Sequence, residues 1–223
     1  MIIAIDGPAG SGKSTVAREV AKRLDLRYLD TGAMYRTITL LALEADLIPD
    51  RIAEAEDIAA HTDIRFQQQE NDLNQVFIGE REVSNEIRGP LVSKYVSPVS
   101  ADAGVRRVLT ALQRVEAAKG DLVMEGRDMG TVVVPQAEVK IYLNATARER
   151  ARRRQLQFRE QGIEQPLEEI LVDLERRDAY DSGRDVAPLC KAVDALEIDS
   201  TNLTISQVVE AICQEAARHA DKD

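Results

Sequence analysis

IIAIDGPAGSGKST, Ile2 to Thr15, is the stretch from which the rest of the chain is read. An apolar, β-branched run leads into a loop holding Gly7, Gly10 and Gly12, and Lys13, Ser14 and Thr15 follow. From Gly7 to Ser14 the chain matches G-x-x-x-x-G-K-[ST], a phosphate-binding loop. The flanks agree, with Ile2, Ile3 and Ile5 before it and the helical pattern VAREVAKRL after it. Glycines let successive backbone N–H groups curl toward one anion. The helix that follows turns its positive end to the same place. Lys13 adds a mobile charge for the outer phosphates, and the Ser14 hydroxyl is a ligand for Mg²⁺. A plain Gly-rich turn is the alternative, and the strand–loop–helix setting argues against it.

Composition bounds what such a loop can serve. The 223 residues, 44% hydrophobic and 30% charged, suit one large soluble domain or one with insertions. A net charge of −10 argues against a general nucleic-acid or anionic-membrane binder, both of which need a broad basic field. Cys190 and Cys213 form neither a disulfide framework nor a zinc pattern, and His61 and His219 make no catalytic or metal cluster. No apolar run reaches membrane-spanning length, and strand residues begin at Ile2. The expectation is a cytoplasmic chain without a signal peptide.

Further along, Tyr28–Leu29 reads as a short strand and Ala33 to Ala45 as a helix with Thr31 as its cap. Arg36 lies in that helix's first turns, where the helix dipole disfavours it. It is either an exposed arginine or an anion receptor. Ile52–Ala60 reads as a short acidic helix. Ile64 and Phe66, a turn near Glu70–Leu73, and Val76–Ile78 give a hairpin, which two directly joined β-runs must form as antiparallel. Pro90–Ser100 and Asp102–Ala118 read as helices.

LVMEG (Leu122–Gly126) and VKIYL (Val139–Leu143) read as buried strands. Arg127 and Asp128 follow the first at its carboxyl end, where open parallel sheets bind ligands; a salt-bridged turn is the alternative. Thr146 and Glu149 form a capping box for a helix bearing Arg148, Arg150, Arg152, Arg153, Arg154 and Arg159. That helix is a solvated face or a lid that meets a polyphosphate. In a helix from about Pro166 to Asp181, Arg177 and Asp181 share a face that Arg184 would continue, and a local ion pair explains them equally well. LEIDS (Leu196–Ser200) is a last strand. Thr204 with Gln207 caps a helix over Ile205–Ala217, with fraying from Arg218. The alternation implies an α/β doubly wound parallel sheet, with the hairpin and the Arg-rich helix as excursions.

A phosphate loop serves kinases, switch GTPases and ATPases alike. The Asn-Lys-x-Asp guanine reader of switch GTPases is missing, since NATARER stands after Leu143. Arginines gathered from several segments suit phosphoryl transfer between two anions, because arginine stays charged and grips phosphate bidentately. An acceptor that is itself a phosphate is already ionised, so no general base is needed, in keeping with the lack of a usable histidine. A kinase for UMP, AMP or shikimate and a slowly hydrolysing nucleotide switch stay open.

The chain resembles bacterial-type cytidylate kinases of the P-loop nucleoside monophosphate kinase family over nearly its whole length. IDGPAGSGKST (Ile5–Thr15), LDTGAMYR (Leu29–Arg36), EGRDMGTVVVP (Glu125–Pro135), ATARERARRR (Ala145–Arg154) and RRDAYDSGRDVAPL (Arg176–Leu189) carry the resemblance. Thr31 and Glu125 read as ordinary variants. The resemblance implies a single P-loop kinase domain, with a core at about 1–36, 101–147 and 186–223, a hairpin-bearing NMP-binding insertion at about 37–100 and a lid at about 148–185. It implies transfer from ATP to CMP or dCMP by a monomer, with Mg²⁺ on Ser14. The loop residues Gly7, Pro8, Ala9, Gly10, Ser11, Gly12, Lys13, Ser14 and Thr15 would hold ATP, with Arg150, Arg153 and Arg154 from the lid. Thr31, Arg36 and Arg127 would hold the CMP phosphate. Tyr35, Arg177, Asp181 and Arg184 would surround ribose and phosphate, and Ser97, Arg106 and Asp128 would read cytosine. Lys13, Arg36, Arg127, Arg153 and Arg184 would stabilise the transferring group.

Overall fold

The computed structural model describes residues 1–68, 74–160 and 162–220; the turn expected at Glu70–Leu73 lies outside them. The chain folds as two compact units, 1–28 with 120–223, and 29–119.

The first unit is built on a five-stranded sheet in the order β2-β6-β1-β7-β8. Its strands are β1 (Ile2–Asp6), β2 (Arg27–Asp30), β6 (Leu122–Gly126), β7 (Val139–Asn144) and β8 (Leu196–Asp199). β1 runs parallel to both β6 and β7, and β7 parallel to β8, as the alternation predicts. The helices are α1 (Lys13–Leu24), α6 (Ala147–Glu160), α7 (Leu167–Ser182) and α8 (Ile205–Ala220). Val16 and Val20 of α1 and Val208 and Ile212 of α8 recur at helical spacing and meet Ile3, Ile5, Val123, Ile141 and Leu143 in one core. Each such burial stabilises by about 1.5–3 kcal/mol. A satellite cluster joins Ala9 of the phosphate loop to Ala151, Ile170 and Leu174.

The second unit holds α2 (Thr31–Glu44), α3 (Ala55–His61), α4 (Pro90–Ala101), α5 (Ala103–Ala117) and an antiparallel sheet. That sheet pairs β3 (Ile64–Gln68) with β4 (Asn74–Ile78), and β4 with β5 (Arg81–Glu82). β5 is absent from the sequence expectation because it is two residues long and exposed on both. Ala33, Val76, Val83 and Ile87 form the core beneath it. Residues 29–36 and 101–119, expected with the core, belong to this unit; the buried face of α5, Val105, Leu109 and Ala117, lies in it.

Three helix ends differ from expectation. Asp30, not Thr31, caps α2, its Oδ1 accepting the Ala33 N–H at 3.0 Å, and Thr31 is the first helical residue. At α6 only half of the capping box forms. The Glu149 N–H reaches Thr146 Oγ1 at 3.4 Å, but the Thr146 N–H donates to Thr201 Oγ1, and the Glu149 carboxylate takes Arg152 and Arg153. α8 has the full box, with the Thr204 N–H to Gln207 Oε1 at 2.9 Å and the Gln207 N–H to Thr204 Oγ1 at 3.3 Å. It runs on to Ala220, past the fraying expected at Arg218, whose guanidinium pairs with Glu215 at 2.9 Å.

Candidate active site

β1 delivers the chain to Gly7 at the carboxyl end of the sheet. Gly7 has φ +153°, and a Cβ there would stand 2.1 Å from the Leu143 carbonyl oxygen of β7. Only glycine lets the loop pass this strand end. At the other end of the loop Gly12, at φ +91°, is the N-cap of α1 and brings Lys13 into the first turn. Lys13 is buried, and its Nζ donates to the Pro8 carbonyl at 2.8 Å and lies 3.4 Å from Ser11 Oγ. Burial first, then the Arg127 charge, pushes its ammonium down to about 7. Ser14, next on α1, is exposed.

Lys13 belongs to a cationic cluster. Arg127, just past β6, donates through Nε to Asp181 Oδ2 of α7 at 2.9 Å. Burial works most strongly against the Arg127 charge, but the Asp181 carboxylate and, behind it, those of Glu125 and Asp178 together outweigh burial and the pKa is raised. Burial likewise works against the Asp181 charge, and Arg127 and then Arg184 hold it below the ordinary carboxylate range. Arg184 Nε donates to the Asp181 carbonyl at 3.1 Å. Where a local Arg177–Asp181 ion pair is the alternative reading from sequence, the hydrogen bond to Asp181 Oδ2 comes from Arg127. Arg177 Nε is buried without a hydrogen-bond partner, and burial followed by Arg127 lowers that guanidinium's pKa. Lys13, Arg127, Arg177 and Arg184 thus gather around Asp181, with Asp6, Glu125 and Asp178 also within electrostatic reach, and a cation cluster of this kind suits an anionic ligand.

Asp128 is buried, and after it the chain makes a single wide turn, Met129–Val133, of π-helical form. Asp6, the last residue of β1, holds that turn: Oδ1 and Oδ2 accept the Met129 and Gly130 N–H groups, both at 2.8 Å. Burial raises the Asp6 carboxyl to about 6 against those two hydrogen bonds. Glu125, on β6, is buried too and accepts the Tyr28 hydroxyl at 2.6 Å.

The Arg-rich helix meets the loop's carbonyls. Arg150 is buried, with Nε on the Ala145 carbonyl at 3.0 Å and Nη1 on the Ala9 carbonyl at 2.8 Å and on Asp178. Asp178 Oδ1 accepts the Ala9 N–H at 3.1 Å. Arg153 donates to the Ser200 carbonyl at 2.6 Å, to Ser200 Oγ at 3.0 Å and to the Ser11 carbonyl at 3.4 Å. Arg154 lies over the Phe158 ring at 4.4 Å. In this arrangement Arg150 and the Ala9 N–H, both expected at phosphate, are engaged within the protein.

In the second unit, Thr31, Tyr35 and Arg36 lie along the first turns of α2. Arg36 Nη1 donates to Ser93 Oγ at 3.1 Å and to the Ile87 carbonyl at 3.3 Å. Arg106 is buried, 5.4 Å from the centre of the Tyr35 ring, and donates to the Ser100 carbonyl at 3.0 Å. The Ser100 hydroxyl in turn donates to the Ser97 carbonyl at 3.0 Å. Arg106 of α5 therefore touches both Tyr35 of α2 and the Ser97–Ser100 turn of α4, and Arg36 is held against Ser93 and Ile87.

A sequence profile described as cytidylate kinase matches residues 3–218. The chain belongs to the cytidylate kinase family. A relative named cytidylate kinase from Carboxydothermus hydrogenoformans is 47% identical over 221 residues, 99% of each chain. Another of that name, from Enterococcus faecalis, is 52% identical over 213 residues, 94% of this chain and 92% of the relative. Among solved structures, an uncharacterized protein from Eubacterium ventriosum aligns over 98% of both chains with a TM-score of 0.50 at 12% identity, a likeness of fold alone.

Within this cytidylate kinase framework three carboxylates receive no role from sequence, Glu125 being read there only as an ordinary variant. Asp6 precedes the loop and Glu125 sits inside a strand, so neither shows a pattern of its own. Asp178 is the one with a readable signal: Leu174, Asp178 and Asp181 follow at i, i+4 and i+7 on one face of α7.

Proposed function

We propose that this chain transfers the γ-phosphoryl group of ATP to CMP or dCMP, giving the nucleoside diphosphate and ADP. Membership of the family makes it a nucleoside monophosphate kinase; the residue roles, the metal and the deoxy acceptor are our reading. The cluster of Lys13, Arg127, Arg177 and Arg184 around Asp181, with Arg177 Nε buried and unpartnered, supports that reading best.

On this reading the loop's N–H groups and Lys13 hold the donor phosphates, and a bound polyphosphate restores the full charge of Lys13. The open Ser14 hydroxyl is the protein's ligand for Mg²⁺, which would neutralise charge on the transferring group. Among the described residues no group of three carboxylate, histidine or cysteine side chains gathers to hold a metal. That fits an ion carried chiefly by phosphate and water oxygens. Arg127, Arg177 and Arg184, ordered by Asp181, grip the acceptor phosphate and ribose; in the second unit Thr31, Tyr35 and Arg36 are the residues proposed for the acceptor. Arg153 and Arg154 contribute on exchanging their present partners. The acceptor oxygen is already ionised, so transfer rests on in-line positioning and charge neutralisation without a general base. Asp128 accepts from the cytosine N4 amino group, and Arg106 and Ser97 donate to N3 and O2.

One chain is the proposed working unit, in the cytoplasm; sedimentation at the mass of a single chain checks the first. Among the described residues no helix is long and apolar enough to cross a membrane. The deciding experiment is ADP release by the purified chain with ATP, Mg²⁺ and, separately, CMP, dCMP, UMP, AMP and shikimate. CMP and dCMP should stimulate release far more than the rest; equal stimulation by UMP or AMP, or none by CMP, overturns the assignment.

A further inference from the structure

Asp178 touches no nucleotide in the roles above, yet it joins the phosphate loop to the helix bearing Arg177 and Asp181. Its Oδ1 accepts the Ala9 N–H at 3.1 Å, its other oxygen takes Arg150, and Arg150 returns to the Ala9 carbonyl at 2.8 Å. Both ends of one loop residue are thereby fixed by a single ion pair, buried to 8% exposure on Arg150 and 19% on Asp178. Packing adds to this. Ala9 shares its cluster with Ala151, Ile170 and Leu174, and Gly10 lies so close to Arg150 that a Cβ there would be 3.3 Å from its backbone oxygen. Arg177 and Asp181 stand one residue before and three after Asp178 on α7.

We propose that Asp178 is a positioning residue that sets the phosphate loop against α7, so that donor and acceptor nucleotides strengthen each other's binding through Ala9. The inference rests on the reading that the loop holds ATP and that Arg177 and Asp181 hold CMP. A phosphate loop works by the aim of its N–H groups, and turning the Ala9 peptide re-aims its neighbours. The helix that fixes Ala9 also fixes the acceptor-side arginine, so order imposed on one is not lost again when the second nucleotide binds.

Asp178→Asn is the informative change. Its amide oxygen can still accept the Ala9 N–H, but its NH₂ group faces the Arg150 guanidinium, which is left with Ala9 and Ala145. Binding of CMP and of a non-hydrolysable ATP analogue, each alone and together, is measured by calorimetry with steady-state kinetics alongside. The expected result is a loss of about tenfold in affinity for the analogue, with CMP alone changed by less than about twofold. The factor by which analogue and CMP help each other should fall toward one. Arg150→Lys, which keeps the charge but not the forked contact, should give the same split, and it serves if Asp178→Asn does not fold. Equal losses for both nucleotides, or unchanged mutual enhancement, overturn the inference while CMP-dependent turnover of the unaltered chain stands. Absence of that turnover in the unaltered chain removes the underlying reading and the inference with it.

Discussion

Arg127 and Asp181 meet at 2.9 Å although 54 residues separate them, and the carboxylate is among the buried charges of the first unit. It is the principal counter-charge to Arg127, with Glu125 and Asp178 behind it, and it also faces Arg177 and Arg184. Asp181→Asn removes one charge without changing size and leaves three guanidiniums in mutual repulsion. Loss of a charge-assisted hydrogen bond amounts to about 1.5–3 kcal/mol. We expect kcat/KM for CMP to fall at least about tenfold, with KM for ATP within about twofold, in steady-state assays.

Gly7→Ala tests the passage of the loop beneath β7. The new methyl carbon would sit 2.1 Å from the Leu143 carbonyl oxygen, and both partners are backbone, so neither can swing aside. The variant should lose about 3 kcal/mol or more of stability, read as a lowered denaturation midpoint. A midpoint unchanged from the parent would show that the loop can be rerouted.

Asp6 makes stability depend on pH. Its folded-state pKa, about 6, lies above the ordinary 3.8, so the folded chain binds this proton more tightly than the unfolded one. The associated stability is complete below about pH 4 and is lost as pH rises through 6. The span from 3.8 to about 6 corresponds to about 3 kcal/mol at most. Asp6→Asn cannot titrate, so the parent should lose stability relative to it between pH 4 and 6.5 in denaturant unfolding curves. Parallel curves across that range would contradict the assignment.

Asp128→Asn probes the choice of base. On the proposed reading Asp128 faces position 4 of the base; uracil presents an acceptor there where cytosine presents an amino group, and two acceptors repel. Asparagine can donate there, so the CMP over UMP preference should shrink about tenfold or more in competition assays. An unchanged ratio would assign base selection to Arg106 and Ser97 instead.

Much of this was legible from residue order alone. The loop from Gly7 to Ser14, the β-branched run at Ile2 and the apolar run at Leu122 carry local signals, and local signals determine a parallel α/β core. Arg127 was readable because a strand's carboxyl end is a known place for ligands. Its partner was not, since the spacing of Arg177 and Asp181 on one helix offers a nearer cation, and only tertiary packing brings Arg127 closer. Arg150 shows the same limit. An arginine on a basic helix reads as a phosphate ligand, but the Ala145 and Ala9 carbonyls and Asp178 satisfy it from three directions. Asp30 and Thr31 are both good capping residues, and one position of register decided between them. β5 falls below the length at which alternation can be seen.

The cation cluster also bears on ordinary bench chemistry. A chain of net charge −10 behaves as an acid toward an exchange resin, while on the proposed reading its arginine cluster would hold a tetrahedral oxyanion. Sulfate and inorganic phosphate fit that description, and on that reading each should compete with the substrate. Rates measured in phosphate, or after ammonium sulfate precipitation without thorough dialysis, would understate what the chain can do.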